Sequence, residues 1–298
     1  MYFPTLNSYF SGGGLGDIGF HNAGIRVQQS LELDPVAAQT LRKNFDHTVI
    51  EEDISKVTAF EQFSADLHAF SYPCPFYSMA SAINGSKTTR VKGDELFLHA
   101  FRMAALLQPE GFVVENVPRM KAFPVVMECF EKLPGYYTQI FCPVNAKEWL
   151  PQDRKRLILI ATKRRFPISA PTGTRPITLA EIIEEAPDYD VPNYVRYRME
   201  GKYRDKPVVC DPLGEKGRTI APTCLANYGK AKGQRVVIDR SHPLGYRPFT
   251  VREYARLQGV PDSFEFCGSE REQYSQIGNG IPTYLAEWVG REFVRYFN

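Results

Sequence analysis

Short, strongly apolar runs alternate with helix-like segments through the first 165 residues, and this alternation leaves few possible folds. Seven runs have the length and the β-branched or aromatic content of strands, at 5–10, 25–33, 47–51, 66–72, 111–117, 137–143 and 156–162. Several are apolar along most of their length, as from Arg156 to Thr162, which is typical of strands buried on both faces. The pattern therefore predicts an α/β fold with a parallel, Rossmann-like sheet.

Helical segments are predicted between these runs, at 35–45, 94–108 and 120–132. The segment 94–108 opens with Asp94 and Glu95 and is stopped by Pro109, as expected of a helix with acids in its first turn. Two further helices are predicted near the end of the chain, from Thr250 to Leu257 and from Thr283 onward. Thr250 and Glu253 have the spacing of a capping box.

The composition changes after about residue 165. The segment 166–245 is rich in proline, glycine, tyrosine and charged residues and has few long apolar runs. We therefore predict a catalytic domain of 1–165 plus 246–298 and a small, loop-rich domain of 166–245. Within it, residues 191–240 hold eleven Lys and Arg against five Asp and Glu. That excess fits a nucleic-acid surface and fits a solvated loop equally well.

The bulk composition excludes several classes of protein. The sequence contains no apolar run long enough to span a membrane and no secretory signal. Its six cysteines include no CxxC pair, and no HxxxH pattern accompanies them, so we expect no metal site. Free thiols favour an intracellular, cytoplasmic protein.

A glycine-rich loop is predicted between the first strand and the first helix, where a doubly wound sheet binds its cofactor. It contains Phe10, Ser11, Gly12, Gly14, Gly16 and Gly19. Gly14, Gly16 and Gly19 fit the dinucleotide fingerprint, and Glu32 and Asp34 follow where an acid would bind ribose hydroxyls. This motif alone does not distinguish NAD from S-adenosylmethionine.

Two further residues stand at predicted strand ends. Asp53 follows the third strand, where it can accept a hydrogen bond from an adenine amine or act as a helix N-cap. Cys74 lies between Pro73 and Pro75, directly after the run 66–72. A cysteine there is either a buried structural residue or a reactive thiol held on a rigid turn at the ligand edge of the sheet.

A carboxylate and a basic set complete the candidate chemistry. Glu115 and Asn116 end the buried run 111–117, and a charge in such a place needs a partner or a function. Gln152, Arg154 and Arg156 precede and open the last strand, and strand alternation predicts that they share one side.

Taken together, these motifs resemble the cytosine-C5 DNA methyltransferase family almost end to end. The match includes the glycine loop, Pro73-Cys74, Glu115-Asn116-Val117 and the Gln-x-Arg-x-Arg pattern from Gln152. Later blocks also match, at Arg247–Glu253, Arg256–Gly259 and Tyr274–Pro282. The chain departs from the family at Pro75, where glutamine is common, and at Leu15, where glycine is usual.

The resemblance implies S-adenosylmethionine as the cofactor, without a metal. The cofactor residues would be Phe10, Ser11, Gly12, Gly14, Gly16, Glu32, Asp53 and Asn279. The catalytic residues would be Cys74, Glu115, Asn116, Arg154 and Arg156. Cys74 would add to C6 of a cytosine that has been flipped out of the duplex, Glu115 would act at N3, Asn116 would orient the backbone, and the arginines would favour the thiolate or contact the base and Glu115.

The partner implied is double-stranded DNA, with a cognate restriction enzyme acting separately and a monomeric, nucleoid-associated methyltransferase of bacterial or phage origin. Residues 79–92 would form a lid or an ordinary surface loop. Candidate DNA contacts are Lys87, Arg90, Arg218, Lys230 and Lys232. The alternatives are methylation of a tRNA cytosine, a catalytically silent DNA-binding protein, and an NAD-dependent oxidoreductase.

Overall fold

The computed structural model describes residues 2–59, 62–73, 88–173, 176–185, 187, 189–202, 204 and 207–298, with the backbone alone for 88–95. The strands are β1 Thr5–Tyr9, β2 Arg26–Glu32, β3 Thr48–Glu51, β4 Leu67–Phe70, β5 Gly111–Asn116, β6 Tyr137–Asn145, β7 Gln152–Asp153, β8 Lys155–Thr162, β9 Val208–Cys210, β10 Ala221–Pro222, β11 Arg235–Ile238 and β12 Tyr246–Arg247. The helices are α1 Leu15–Asn22, α2 Pro35–Asn44, α3 Thr88–Leu107, α4 Pro124–Glu131, α5 Leu179–Ile182, α6 Asn193–Glu200, α7 Val251–Arg256, α8 Glu270–Asn279 and α9 Thr283–Phe297.

The chain divides into two compact units. Unit 1 consists of Met1–Asn145, Lys155–Pro171 and Ile281–Asn298, and unit 2 consists of Ala146–Arg154 and Thr172–Gly280. Unit 2 thus contains most of the segment 166–245 for which a small domain is predicted, together with the helices α7 and α8 that follow it.

Unit 1 is built on a seven-stranded sheet in the order β3-β2-β1-β4-β5-β8-β6. All seven predicted strands are present, with ends within about three residues of the prediction. The first five strands in this order, β3, β2, β1, β4 and β5, run parallel to one another. Tyr9 of β1 lies opposite Leu31 of β2 and Phe70 of β4. The prediction of an α/β fold is therefore confirmed.

The prediction of a wholly parallel sheet is wrong for β8, which pairs antiparallel with both β5 and β6. The physical reason lies in the connection. Only residues 146–154, without an α-helix, join β6 to β8, whereas a parallel return needs a longer crossover that is usually helical. The apolar run was predicted correctly, because the direction of a strand leaves no mark on its composition.

The core of unit 1 lies between the sheet and the helices α3 and α4. Phe70 of β4 and Phe112 of β5 contact each other edge to face, and Phe112 also contacts Phe130 of α4. On α1, a Cβ on Gly19 would lie 2.2 Å from the carbonyl oxygen of Thr283 at the start of α9. That helix contact therefore requires a glycine on α1, because any side chain would force the two backbones apart.

The predicted helices are confirmed with shifted ends. α3 begins six residues earlier than predicted, and the first residues of the predicted segment 120–132 form a 3-10 helix, Pro118–Ala122, ahead of α4. The capping box of Thr250 and Glu253 opens α7 as predicted. Helix α8 was not predicted, although Ser269 and Glu272 form a second capping box at its start.

Unit 2 is organised around a buried arginine. The side chain of Arg247 is fully buried and forms ion pairs with Asp239 at 2.6 Å and with both carboxylate oxygens of Glu253 at 2.6 and 2.7 Å. The guanidinium group thus joins two stretches of chain, because Asp239 follows β11 and Glu253 lies in α7. In addition to the apolar residues buried in unit 2, such as Val195, Val236 and Phe249, this charge network fixes the backbone at the residues that it joins.

No helix of the described ranges is long and apolar enough to cross a membrane. The same ranges contain no group of three or more His, Cys, Asp and Glu arranged to hold a metal ion.

We predict that Arg247→Met destabilises the protein by about 3–5 kcal/mol, because two carboxylates would remain buried without a counter-ion. The matched control is Arg196→Met in the same unit, whose pair with the exposed Asp190 spans 3.5 Å and is worth at most about 1 kcal/mol. Thermal unfolding of the two variants measures the difference. Equal losses of stability would show that the buried network does not hold unit 2 together.

Candidate active site

The carboxyl edge of the parallel strands gathers most of the predicted site residues of unit 1. The chain order of the strands reverses between β1 and β4, and ligands of such sheets bind in the crevice at this point. The glycine loop follows β1, and Tyr72 and Pro73 follow β4. The rings of Phe10 and Tyr72 contact each other across this point, with centroids 6.3 Å apart.

The glycine loop has two consecutive anchors to β2. The backbone N–H of Ser11 donates to the carbonyl of Leu31 at 3.2 Å, and that of Gly12 donates to the carboxylate of Glu32 at 2.7 Å. Phe10 has a φ of 58°, which costs a residue with a side chain about 1–3 kcal/mol and persists only where the surroundings enforce it. The loop is therefore held in one defined, strained conformation.

Gly12 is the loop residue with open space beside it. Among the described residues, no atom lies within 4 Å of where its Cβ would be, whereas a Cβ on Gly14 would lie 2.6 Å from the ring of Phe45. A Cβ on Gly16 would lie 2.8 Å from the side chain of Ile281. All three fingerprint glycines thus serve close packing, whereas Gly12 leaves room for a ligand to approach the backbone.

Glu32 and Asp34, which the sequence left as alternatives, have different roles. Asp34 caps α2 by accepting hydrogen bonds from the backbone N–H groups of Val36 and Ala37. Glu32 accepts from Gly12 and, at 2.8 Å, from the N–H of Asp34. Burial raises the pKa of Glu32 despite these two bonds. Glu32 is therefore the acid whose carboxylate is oriented toward the loop.

Asp53 lies after β3 and accepts a hydrogen bond at 2.8 Å from the backbone N–H of Ser55. That bond, from the turn that follows, lowers the pKa of Asp53 and keeps the carboxylate ionised. Asp53 therefore caps this turn through one of its carboxylate oxygens. Contact with an adenine amine stays a prediction.

Asn116 connects β5 to the segment that leads to Cys74. Its amide donates to the carbonyl of Tyr72 at 3.2 Å, and its side-chain oxygen accepts from the N–H of Val117 at 2.9 Å. The backbone two residues before Cys74 is therefore fixed to the end of β5. Cys74 itself and Lys87 lie outside the described residues, as does most of the predicted lid.

Glu115 and Arg156 form an ion pair, with the carboxylate 2.7 Å from the arginine Nε. The antiparallel register of β5 and β8 brings the two residues together, since Asn116 pairs with Leu157 and Glu115 with Ile158. The side chains are about one-tenth exposed, so the pair is shielded from water yet reachable from the sheet edge. Arg156 thus fixes the direction of the Glu115 carboxylate and balances its negative charge.

Arg154 has different surroundings from Arg156, because β7 ends at Asp153 and β8 begins at Lys155. In unit 2, its buried guanidinium donates to the carbonyls of Cys224, Gly278 and Gly280. The last two flank Asn279, the predicted cofactor residue at the end of α8. Gln152 shares these surroundings, because its side-chain oxygen accepts from the backbone N–H of Cys224 at 2.8 Å, so Gln152 and Arg154 meet the same residue. Alignment of Arg156 with these two stays a prediction, and Arg154 fixes backbone in unit 2.

The predicted DNA-binding residues also separate into different classes. Arg218 and Lys230 are exposed on unit 2, and the backbone of Arg90 lies in α3. Lys232 is buried, and its ammonium group lies 2.7 Å from the hydroxyl of Tyr189 and from both oxygens of Glu270. The prediction that Lys232 contacts phosphate is therefore not carried further, because its charge is already neutralised within the unit.

Comparison with known proteins decides the family. The family model described as "C-5 cytosine-specific DNA methylase" matches residues 5–205 and 177–295, which together span nearly the whole chain. The chain belongs to the C-5 cytosine-specific DNA methylase family. It is therefore a methyltransferase that uses S-adenosylmethionine to methylate C5 of cytosine, as the sequence motifs predict, and the oxidoreductase alternative is wrong.

Two bacterial relatives agree with this assignment, and two solved structures share the fold. The chain is 30% identical to the Type II methyltransferase M.Sau96I of Staphylococcus aureus, with 99% of this chain and 76% of that protein covered. It is 29% identical to the Type II methyltransferase M.NgoMIV of Neisseria gonorrhoeae, covering 99% and 98%. The fold resembles the Entamoeba histolytica methyltransferase EhMeth (TM-score 0.83, 15% identity, both chains fully covered) and the S. pombe Dnmt2 methyltransferase (TM-score 0.80, 20% identity, both fully covered).

We predict that Glu115→Gln and Arg156→Met each lower the rate of methyl transfer by roughly 10²-fold or more, as expected when an acid–base group or its partner is lost. Because the two residues form one pair, the double variant should be little slower than either single variant. Single-turnover transfer of labelled methyl groups measures all three rates. If the two losses multiply in the double variant, the residues act independently and the pair has no joint role.

Proposed function

We propose that Cys74 is the nucleophile of this methyltransferase and that Glu115 and Arg156 support its reaction with the base. The thiolate sulfur forms a bond to C6, C5 accepts the methyl group, and the loss of the C5 proton then allows the sulfur–C6 bond to break. S-adenosylmethionine supplies the methyl group on a sulfonium sulfur. The observation that supports this assignment is the ion pair of Glu115 and Arg156 at the strand edge where the chain passes from β4 to Cys74.

Glu115 would act at N3 of the cytosine. When the thiolate adds to C6, electron density moves into the ring, and N3 gains affinity for a proton. The Glu115 carboxylate, which Arg156 holds in a fixed direction at 2.7 Å, can then accept a hydrogen bond from the N3–H that forms and stabilise the protonated ring. Asn116 would act indirectly, because its hydrogen bond to the carbonyl of Tyr72 fixes the backbone two residues before Cys74.

The cofactor would bind along the glycine loop. Gly12 provides the open backbone, and Glu32 provides a buried carboxylate suited to ribose hydroxyls. Phe10 would present its ring to the adenine side, with Asp53 near the adenine amine. The resemblance alone makes Asn279, at the end of α8 in unit 2, a cofactor residue, and Arg154 holds the backbone on either side of it.

Unit 2 would supply the DNA-recognition surface. Arg218, Asn227 and Lys230 are exposed on one short stretch of chain, and their side chains suit phosphates and base edges. Lys87 and Arg90 would add contacts from the segment that follows Cys74. The domain limits of 1–165 plus 246–298 and 166–245 remain part of this proposal.

The biological setting follows from the relatives. Bacterial proteins named Type II methyltransferases cover nearly all of this chain, which supports a role in a restriction–modification system. We infer a monomeric enzyme that acts on duplex DNA in the cytoplasm, near the nucleoid, with a separate restriction enzyme of the same specificity. Protection of host DNA from that enzyme would be its purpose.

The experiment that tests this proposal is methyl transfer from labelled S-adenosylmethionine to duplex DNA and, separately, to tRNA. We expect label in duplex DNA, at C5 of cytosine within one sequence, and none in tRNA. Cys74→Ala should abolish transfer and leave DNA binding intact, because the thiol forms no part of the phosphate contacts. Label confined to tRNA would overturn the DNA assignment, and undiminished transfer by Cys74→Ala would overturn the nucleophile.

A second prediction concerns the DNA surface. Arg218→Ala and Lys230→Ala should each weaken binding to any duplex and reduce the slope of log affinity against log salt by about 1, because each would lose one phosphate contact. Lys232→Met is the matched control, and its slope should equal that of the wild type, since the ammonium is already paired with Glu270. A salt slope that stays at the wild-type value in both Arg218→Ala and Lys230→Ala would place the DNA surface elsewhere.

A further inference from the structure

Asp17 is a fully buried acid that no part of the mechanism above uses. It lies in the first turn of α1, directly behind the glycine loop, and about 1% of its surface is exposed. A carboxylate is rarely buried to this degree unless other groups satisfy it. The groups that satisfy Asp17 come from β1, β2 and the segment before β3.

Three hydrogen bonds converge directly or indirectly on this carboxylate. The hydroxyl of Ser30 donates to Asp17 Oδ2 at 2.7 Å, and the hydroxyl of Ser8 also bonds to the carboxyl group. Since Ser30 has one hydrogen and gives it to Asp17, its oxygen can only accept from His47 Nε2, 2.8 Å away. His47 is therefore a neutral donor with its hydrogen on Nε2, and burial lowers the pKa of its ring to about 4.

The other arm of this chain reaches the glycine loop. The hydroxyl of Ser11 lies 3.0 Å from the hydroxyl of Ser8 and 3.1 Å from the Ser8 carbonyl, so Ser11 is tied to the residue that bonds Asp17. Ser11 stands between Phe10 and Gly12, which both have left-handed backbone conformations. The hydroxyls of Ser30 and Ser8 donate to Asp17, which is the pattern that an ionised carboxylate requires, and the single hydrogen of Ser11 is shared between the two oxygens of Ser8.

We propose that Asp17 is the positioning residue of the cofactor loop and that its ionised carboxylate holds Ser11, through Ser8, in the conformation that binds S-adenosylmethionine. This inference rests on the proposed assignment of the loop to the cofactor. Asp17 does not touch the cofactor. It fixes the strained turn at Phe10, so that Gly12 and Glu32 are already placed when the ligand arrives.

A buried acid of this kind makes the affinity for cofactor depend on pH. Burial raises the pKa of Asp17 to about 6, although the bonds from Ser30 and Ser8 oppose that shift. Below this pH the carboxyl group gains a hydrogen, so one of its oxygens becomes a donor and the uncharged group accepts from the two serines more weakly. Other groups that face this region are His21 and His47, with Asp46 beside His47, and Glu32 on the loop side.

The sign of the stability effect distinguishes positioning from a merely structural role. Because the pKa of Asp17 is higher in the folded than in the unfolded chain, its contribution to stability falls as the pH rises from 3.8 to about 6 and is lost above that pH. An uncharged amide of the same shape should therefore leave stability near neutral pH unchanged or raised. Loss of cofactor affinity without loss of stability is the pattern expected of a positioning residue.

The test measures binding of S-adenosylhomocysteine, the product of the cofactor, by calorimetry with the full chain across the pH range. Asp17→Asn should bind about tenfold or more weakly near neutral pH, as expected when bonds to a charged group are lost. It should also lack the fall in affinity that the wild type shows as the pH drops through about 6. Glu292→Gln, which converts a buried carboxyl group on α9 bonded to Ser169, should bind as the wild type does.

A second variant keeps the proposal testable if Asp17→Asn does not fold. Ser30→Ala removes a bond that lowers the pKa of Asp17, so the midpoint of the pH-dependent loss of affinity should move upward. Asp17→Asn binding with wild-type affinity, or an unmoved midpoint in Ser30→Ala, would overturn the positioning role. Glu32→Ala distinguishes a failure of the positioning role of Asp17 from a failure of the proposed cofactor site. Wild-type affinity in that variant would overturn the assignment of the loop to the cofactor.

Discussion

The parallel pairing of β1 with β2 and β4 is the constraint on which the site of unit 1 depends. It brings the ends of three strands to one edge, so that the glycine loop, Glu32 and the segment before Cys74 all begin at the same level of the sheet. The reversal of strand order between β1 and β4 leaves a crevice there. Each later feature of the site adds a chemical group to this edge.

The antiparallel strand β8 is what completes the edge with a positive charge. Its reversed direction places Arg156 at its beginning, next to the end of β5, where Glu115 lies. Had β8 run parallel, its first residues would lie at the opposite edge of the sheet, and Arg156 could not reach Glu115. The departure from a wholly parallel sheet is thus directly tied to the arrangement of the ion pair.

The sequence predicts the strands of unit 1 and most of its helices because apolar periodicity and capping residues report local structure. It also places Glu115 and the glycine loop at strand ends. The direction of β8 was missed, since pairing depends on the length of the connection. The sequence also does not predict the surroundings of Arg154 and Lys232. Arg154 donates to distant carbonyls, and Lys232 bonds to Glu270 and Tyr189, and such long-range partners leave no local pattern in the sequence.

The burial of Asp17 is likewise not predictable from the sequence. In the sequence it is one more acid within a glycine-rich loop, with no neighbour that marks it as buried. Only the folded chain brings Ser8, Ser30 and His47 around it from separate elements. Glycines of the fingerprint likewise look like cofactor contacts in the sequence, whereas Gly16 and Gly19 serve helix packing.

The most direct test of the catalytic account is to trap the enzyme on DNA that carries 5-fluorocytosine at the target position. Release of Cys74 requires the C5 hydrogen to leave as a proton, and fluorine cannot leave in that way, so the sulfur–C6 bond should persist after methyl transfer. Mass spectrometry of the digested complex is expected to show the modified base on the peptide that contains Cys74. An adduct on one of the other five cysteines, or no adduct although DNA and S-adenosylmethionine are bound, would contradict the account.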